Sequence, residues 1–307
     1  MMKIGAVDII IPTYMPDNTL DTLLAGLITQ TRVPNRIILM NTRADGYHVE
    51  RYNEFTGVEV HDLDKKNFDH GGTRDAAAQI SNADIMIFMT QDAVPADSHM
   101  IDRLLEPFDD DSVGAAYARQ LPRDDCRMIE RYIRSYNYPD LDQVKSLDDL
   151  PKLGIKTYFC SDVCAAYRRD VYTELGGFES PAIFNEDMIL ASKIIGSGRK
   201  IYYASKALVI HSHNYTNMQQ YRRNFDLAVS QADHPEIFDS ISSESAGKHL
   251  VLSAARYVIK SGRPWLVFPL FVSSLYKYMG YRKGKNYQKL SCRKILHCTA
   301  NRDFWIS

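Results

Sequence analysis

Three groups of residues in this 307-residue chain have types and spacing that could do chemistry. Asp92 ends the run IMIFMTQD, in which five apolar residues, Ile85 to Met89, precede Thr90, Gln91 and Asp92. An unbroken apolar run of that length suits a strand buried on both faces of a parallel sheet. Such a strand delivers Asp92 to the carboxyl edge, where open α/β sheets bind ligands. A lone hard oxygen there suits a divalent cation holding a phosphate, although an ordinary turn before Pro95 uses the same residues. His211 and His213 follow the apolar run that ends at Ile210. Either can offer an imidazole to a metal, and such pairs are also common on surfaces. Glu186 and Asp187 are adjacent acids before a predicted helix. One could deprotonate a hydroxyl, and both also suit a helix start.

A second set could hold a nucleotide. No glycine-rich loop follows the first strand, because the segment after Ile11 is PTYMPDN. That argues against a dinucleotide dehydrogenase and a P-loop kinase. Pro12, Thr13 and Tyr14 instead form a turn that could frame a planar base, with Tyr14 stacking and Thr13 hydrogen-bonding. Asn41, at the end of the second strand, can give and accept hydrogen bonds on a base edge. In His70-Gly71-Gly72-Thr73-Arg74, amides at a helix start and a nearby arginine suit a phosphate or base, or simply a glycine turn. Arg222 and Arg223, after Gln219, could meet a diphosphate or form a solvated helix face.

The elements that must position these residues alternate. Strands are predicted at Val7–Ile11, Arg36–Met40, Val58–Val60, Ile85–Met89 and Val113–Ala118, with helices at 20–28, 71–80 and 96–108 between them. That alternation argues for a parallel, Rossmann-like sheet over the first 120 residues. Further strands are predicted at Phe159–Tyr167, Lys200–Tyr203 and Ala207–Ile210. Helices are predicted at Arg168–Leu175, Met188–Ile195, Met218–Gln231 and His249–Ile259. The domain reading is a body over 1–244, with a nucleotide half of about 1–120 and an acceptor half of about 121–244, then an extension over 245–307.

Composition is that of a soluble globular protein, 45% apolar and 24% charged. No apolar stretch reaches the roughly 18 to 20 residues of a spanning helix, and Met1 to Asp8 has no signal-like apolar core. Five cysteines suggest no disulfide framework and point to a reducing cytoplasm. Cys160 and Cys164 read as small buried hydrophobes. The net charge of −1 hides an asymmetry: residues 245–307 carry +11, leaving −12 to the body. WLVFPLFV at 265–272, broken by Pro269, leads to Tyr276, Tyr278 and Tyr281 and a run of Lys and Arg. Aromatic residues beside basic ones suit an anionic membrane surface, and equally a helical hairpin packed on the body. Nucleic acid fits less well, because no recognition motif accompanies the charge.

Taken in order, these pieces resemble a family 2 glycosyltransferase with the GT-A fold, from Val7 to about Asp226. The wording is most similar to bacterial rhamnosyltransferases. The blocks that carry this are FDHGGTRD (68–75), FMTQDAVP (88–95), RQLP (119–122), NYP (137–139), GIKTYFCSDVCAAYRR (154–169) and HSHNYT (211–216). The resemblance implies a Rossmann-like mixed sheet flanked by helices, with a basic helical extension. It implies that Pro12, Thr13, Tyr14, Asn41, Arg74, Gln91 and Asp92 hold the nucleotide. Asp92, with His211 or His213, would bind Mg2+ or Mn2+, and Asp187 would be the general base. Gly176, Gly177 and Phe178 would line the acceptor site, and Glu186, Gln219 and Arg222 would serve the acceptor or the diphosphate. Thr90 stands where the first acid of a DxD pair is usual, Asn41 where an acid often reads the base, Asp75 where Asn is usual, and Arg223 where Trp is usual.

The implied activity is inverting, metal-dependent transfer of a sugar, L-rhamnose from dTDP-L-rhamnose, to a cell-surface glycan or its polyprenyl-linked precursor. The expected location is the cytoplasm, peripheral on the inner face of the plasma membrane. The alternatives are another donor such as a UDP-hexose, or a non-catalytic nucleotide-sugar-binding protein. A nucleotidyltransferase would want a glycine- and lysine-rich loop that PTYMPDN does not supply.

Overall fold

A computed structural model describes residues 5–47, 49–239 and 244–306. In chain order the elements are β1 (Val7–Tyr14), α1 (Asn18–Ile28), β2 (Arg36–Thr42), β3 (Val58–Leu63), α2 (His70–Ile80), β4 (Ile85–Met89), β5 (Val94–Pro95), α3 (Met100–Leu105) and β6 (Val113–Leu121). There follow α4 (Met128–Asn137), β7 (Gln143–Lys145), α5 (Leu150–Leu153), β8 (Cys164–Arg168), α6 (Arg169–Glu174), α7 (Glu186–Gly196) and β9 (Lys200–Ile210). The last are α8 (Asn217–Asp233), α9 (Pro235–Phe238), α10 (Glu244–Lys260), α11 (Val267–Gly284) and α12 (Cys292–Cys298). They form two compact units.

The first unit, Met1–Leu121, Pro139–Ala182 and Glu186–His211, holds every strand. The sheet order is β3-β2-β1-β4-β8-β6-β9-β5, with β7 paired to β9. The four strands β3, β2, β1 and β4 are parallel, as the alternation of elements predicts. Every residue of Ile85–Met89 is buried, which is why that run carries no polar alternation. Leu20, Leu23, Leu24 and Leu27 recur at helical spacing and bury one face of α1 in the same core. Beyond β4 the sheet is mixed: β8 enters antiparallel between β4 and β6. The parallel ends of β1, β2 and β3 deliver Tyr14, Asn41 and Asp62 to one edge.

Three local expectations change. The predicted helix at 96–108 begins only at Met100, because Val94 and Pro95 pair with β9 and the Asp97 carboxylate turns the chain by accepting from the His99 amide. The two strands predicted in 200–210 are one strand, β9. A register shift against β6 absorbs its middle, where the Ser205 amide and hydroxyl both donate to Asp142. The strand predicted at 159–167 is the shorter β8, and Cys160 and Cys164 are buried as small hydrophobes.

The second unit, Pro122–Tyr138, Ile183–Asn185 and Ser212–Ser307, is helical. Phe225, Val229, Ile295 and Cys298 form its core with Ile183. Pro269 does not break the aromatic run. It lies in the first turn of α11, where a missing N–H costs no helical bond. Helices α8 and α11 pack backbone to backbone: a Cβ at Gly280 would lie 2.1 Å from the Tyr221 carbonyl oxygen, and one at Gly284 2.3 Å from that of Phe225. Among the described residues, no helix is long and apolar enough to cross a membrane.

Candidate active site

The edge of β1, β2 and β3 opens on a cavity of about 630 Å³. Tyr14, Asn41, Arg43, Asp62 and Lys65 line it. Gln91 straps the end of β1 in place: its Oε1 accepts from the Tyr14 amide at 2.8 Å, and its Nε2 donates to the Tyr14 carbonyl at 3.0 Å. This leaves the Tyr14 ring exposed, with the Lys65 ammonium 5.5 Å from its centroid. Pro12 lies two residues inside the end of β1, opposite Met40. Buried Thr13 donates to Asn41 Oδ1 at 3.3 Å, and Asn41 Nδ2 donates to Asp62 Oδ1 at 2.6 Å. The Asn41 amide is therefore engaged on both ends. The carboxylate of this edge belongs to Asp62, one strand over, and Arg43 Nε lies 3.6 Å from it. Sequence reasoning missed Asp62, whose only signal is an acid at the carboxyl end of the short strand VEVHDL.

Asp92 lies just past β4, and His211 just past β9. His211 Nε2 is 3.6 Å from Asp92 Oδ2. The other ring nitrogen, Nδ1, is 3.0 Å from Gln120 Oε1, and Gln120 Nε2 donates to Ser161 Oγ at 3.0 Å. An amide oxygen accepts, so Nδ1 must carry the proton. In the neutral imidazole the Nε2 lone pair then points toward Asp92. A lone pair facing a carboxylate is favourable only with a proton or a cation between them. The pair, an imidazole nitrogen and a hard carboxylate oxygen, suits Mn2+. His213 stacks on Tyr215, ring centroids 4.8 Å apart. His211 is buried, and Gln120 is the partner that selects its tautomer. Gln120 is the second residue that sequence reasoning missed.

A third cluster surrounds Arg74, which is only 5% exposed. Its Nη1 donates to the His70 carbonyl at 2.9 Å and lies 3.1 Å from Glu186 Oε1, while its Nε lies 3.5 Å from Asp162 Oδ2. Burial opposes its charge, but Glu186, Asp162 and Asp187 outweigh that and raise its pKa. Arg74 is thus a counter-ion for buried acids. Glu186 is paired with it and buried. Asp162, a third missed residue, accepts from the Tyr167 hydroxyl at 2.8 Å.

Asp187 stands at the edge of this cluster, half-buried. Its Oδ2 accepts from the Asp162 amide at 3.3 Å, and its Oδ1 from the Met188 amide at 2.8 Å. Burial pushes its pKa well up, and the neighbouring Asp162 and Glu186 carboxylates push it further. Asp162 shifts upward for the same first reason, with Arg74 pulling the other way. One guanidinium cannot balance three buried carboxylates, so this site holds a proton more tightly than isolated acids would. A carboxylate whose proton affinity is raised in this way is suited to taking a proton as a general base.

The HGGTRD block fixes this geometry. Asp69 caps α2 by accepting from the Gly72 amide at 2.7 Å, and it also accepts from the Ala182 amide at 3.1 Å. Gly177 has φ +67°, and a Cβ there would lie 2.3 Å from Asp75 Oδ1. Asp75 in turn accepts from the Tyr172 hydroxyl at 2.8 Å. Phe178 is 3% exposed, packed edge-on to Phe88 with centroids 5.0 Å apart. It supports the turn from beneath.

Gln219 and Arg222 belong to the second unit, on α8. Gln219 closes a capping box: its Oε1 accepts from the Thr216 amide at 2.8 Å, and its own amide donates to Thr216 Oγ1 at 3.3 Å. Arg222 is half-buried, and its neighbour Arg223 lies over the Tyr215 and Phe184 rings.

Comparison with known proteins identifies the family and the fold. The model of the family described as Glycosyl transferase family 2 matches residues 8–176. The chain is 36% identical over 301 residues to the O-antigen chain rhamnosyltransferase RfbN of Salmonella typhimurium, covering 97% of this chain and 96% of that one. It is 34% identical over 278 residues to the O-antigen chain rhamnosyltransferase WbaN of Salmonella anatum, covering 90% and 88%. Among solved structures, the mannosyltransferase PcManGT from Pyrobaculum calidifontis, in complex with GDP-Man and Mn2+, has a TM-score of 0.65 at 15% identity, over 94% of this chain and 89% of that one. TarS 1-349 of S. aureus, in complex with UDP-GlcNAc, has a TM-score of 0.54 at 14% identity, over 93% and 92%. The solved structures share the GT-A fold. The chain is a glycosyltransferase and belongs to the family 2 glycosyl transferases.

Proposed function

We propose that this enzyme transfers L-rhamnose from dTDP-L-rhamnose, with inversion, to a hydroxyl of a growing cell-surface glycan carried on a polyprenyl lipid at the inner face of the plasma membrane. The single observation that carries the chemistry is Asp187, a half-buried carboxylate whose proton affinity is raised by burial and by two adjacent acids. It takes the acceptor proton as the acceptor oxygen attacks the anomeric carbon and the nucleoside diphosphate leaves. The rhamnosyl donor rests on the two named relatives, which together with the six sequence blocks favour it over a UDP-hexose.

The cavity at Tyr14 holds the base, with Tyr14 stacking on it and Asp62 offering a carboxylate to its polar edge. Asp92 and His211 would hold a divalent cation. When bound, that cation would neutralise charge on the donor diphosphate. Gln219 and Arg222 keep the role at the acceptor or diphosphate that the family resemblance implies.

Because Gln120 selects the His211 tautomer, Gln120→Leu is expected to weaken Mn2+ binding by about 10- to 100-fold. Calorimetric titration of the donor-free protein with MnCl2 checks this, and unchanged affinity would remove His211 as a ligand oriented by Gln120. The donor assignment is tested by offering dTDP-L-rhamnose beside UDP- and GDP-hexoses. Selective consumption of dTDP-L-rhamnose is expected, and preference for a UDP-hexose would replace it.

A further inference from the structure

The second unit contains a cavity of about 1040 Å³, larger than the one at Tyr14. Ile133 of α4, Val251 of α10 and Leu270, Phe271, Leu275 and Tyr278 of α11 are among its walls. Helices α4 and α10 are clamped together by Tyr132, which stacks on Tyr257 with centroids 4.4 Å apart and hydrogen-bonds Ser253 at 2.5 Å. The cavity is open: Phe271 is 62% exposed and Tyr278 51%. The same helix, with its lead-in turn, carries Trp265 and Phe268 outward at 66% and 74% exposure. Apolar surface that is both concave and continuous with an exposed aromatic stripe marks a binding surface for an apolar partner.

Its walls also carry cations. Arg127, Arg263 and Lys277 line it, and residues 245–307 as a whole bear +11. Lys277 is half-buried, and burial presses its ammonium toward the neutral form, with Glu130 opposing that. An anion beside it would restore the charge. His213 lines the same cavity, two residues along the chain from His211. An occupant therefore needs a long apolar chain and an anionic head.

We propose that this cavity binds the isoprenoid chain of a polyprenyl lipid drawn from the membrane, with its phosphate or diphosphate against Arg127, Arg263 and Lys277. This rests on the lipid-linked acceptor of the proposed function and assigns that lipid a site of its own.

The test titrates the full-length protein with geranylgeranyl diphosphate, inorganic diphosphate and phosphatidylglycerol vesicles, reading heat and Trp fluorescence. Geranylgeranyl diphosphate is expected to bind at least about 100-fold more tightly than inorganic diphosphate, because the chain is buried. Val251→Trp, which projects a larger side chain from the cavity wall, is expected to weaken that binding at least about tenfold while far-UV circular dichroism stays unchanged. If that variant fails to fold, Arg263→Gln with Lys277→Gln takes its place, and a similar loss is expected through the head group. Equal binding of the two diphosphates would overturn the proposal. So would undiminished binding by a folded Val251→Trp, vesicle binding that needs neither chain nor cavity, or light scattering that shows a second copy of the chain seated there. Rhamnosyl transfer to a soluble, chain-free saccharide separates the two ideas: if it persists while lipid binding fails, only the lipid site falls.

Discussion

Replacing Asp187 with Asn is expected to lower kcat by about 10²- to 10⁴-fold, the range a positioned general base contributes, while donor affinity stays within about twofold. Asn preserves the shape, and its side-chain oxygen can still accept from the Met188 amide, but it cannot take a proton. Single-turnover kinetics at saturating donor, with dTDP release as readout, check it. Transfer that survives unchanged would move the base elsewhere in the cluster. The pH dependence provides a second handle. Burial and the neighbouring Asp162 and Glu186 raise the Asp187 pKa. A base must be deprotonated, so activity is lost as pH falls through that raised value, above the range where an exposed aspartate titrates. Asp162→Asn removes one neighbouring negative charge, so the acid limb of kcat should move to lower pH. The same shift has a stability consequence of fixed sign. The folded protein binds protons at Asp162 and Asp187 more tightly than the unfolded chain does, so these groups lose stabilising power as pH rises above the ordinary carboxylate range.

The second large effect is expected from Asp92→Ala, which should weaken Mn2+-dependent donor binding by at least about 100-fold, more than a change behind a ligand brings about. The two preceding residues of this turn, Thr90 and Gln91, supply no second carboxylate, and Gln91 is committed to the Tyr14 backbone. The nucleoside portion should still bind weakly, because the Tyr14 and Asp62 cavity belongs to β1 and β3 rather than to the Asp92 turn. Calorimetry with dTDP in the presence and absence of MnCl2 separates the two contributions. Undiminished, metal-dependent binding by Asp92→Ala would refute its role.

How much of this was readable beforehand depended on the kind of signal. Asp92 is legible because an unbroken buried strand points to it, and the helix start at Glu186 and Asp187 is legible from adjacent acids. Asp62, Gln120 and Asp162 are not. Each is a single polar residue within or beside a strand, and its meaning comes only from a neighbour far away in sequence, 21 residues for Asn41 and Asp62 and 91 for Gln120 and His211. Arg74 shows what a local pattern leaves out. Its position at a helix start suggests an anionic ligand, but burial places it against the protein's own carboxylates. The parallel half of the sheet follows from alternating elements, whereas the antiparallel insertion of β8 depends on long-range pairing that no local pattern encodes. Pro269 reads as a helix breaker until its place in the first turn of α11 is known.

The most direct test of the account is the anomeric configuration of the first product formed from dTDP-L-rhamnose, followed by proton NMR before any equilibration. One displacement by an acceptor oxygen, deprotonated by Asp187, requires a configuration opposite to that of the donor, and that is the expected result. Retained configuration would require two displacements or a front-face reaction, and would contradict a single general base at Asp187.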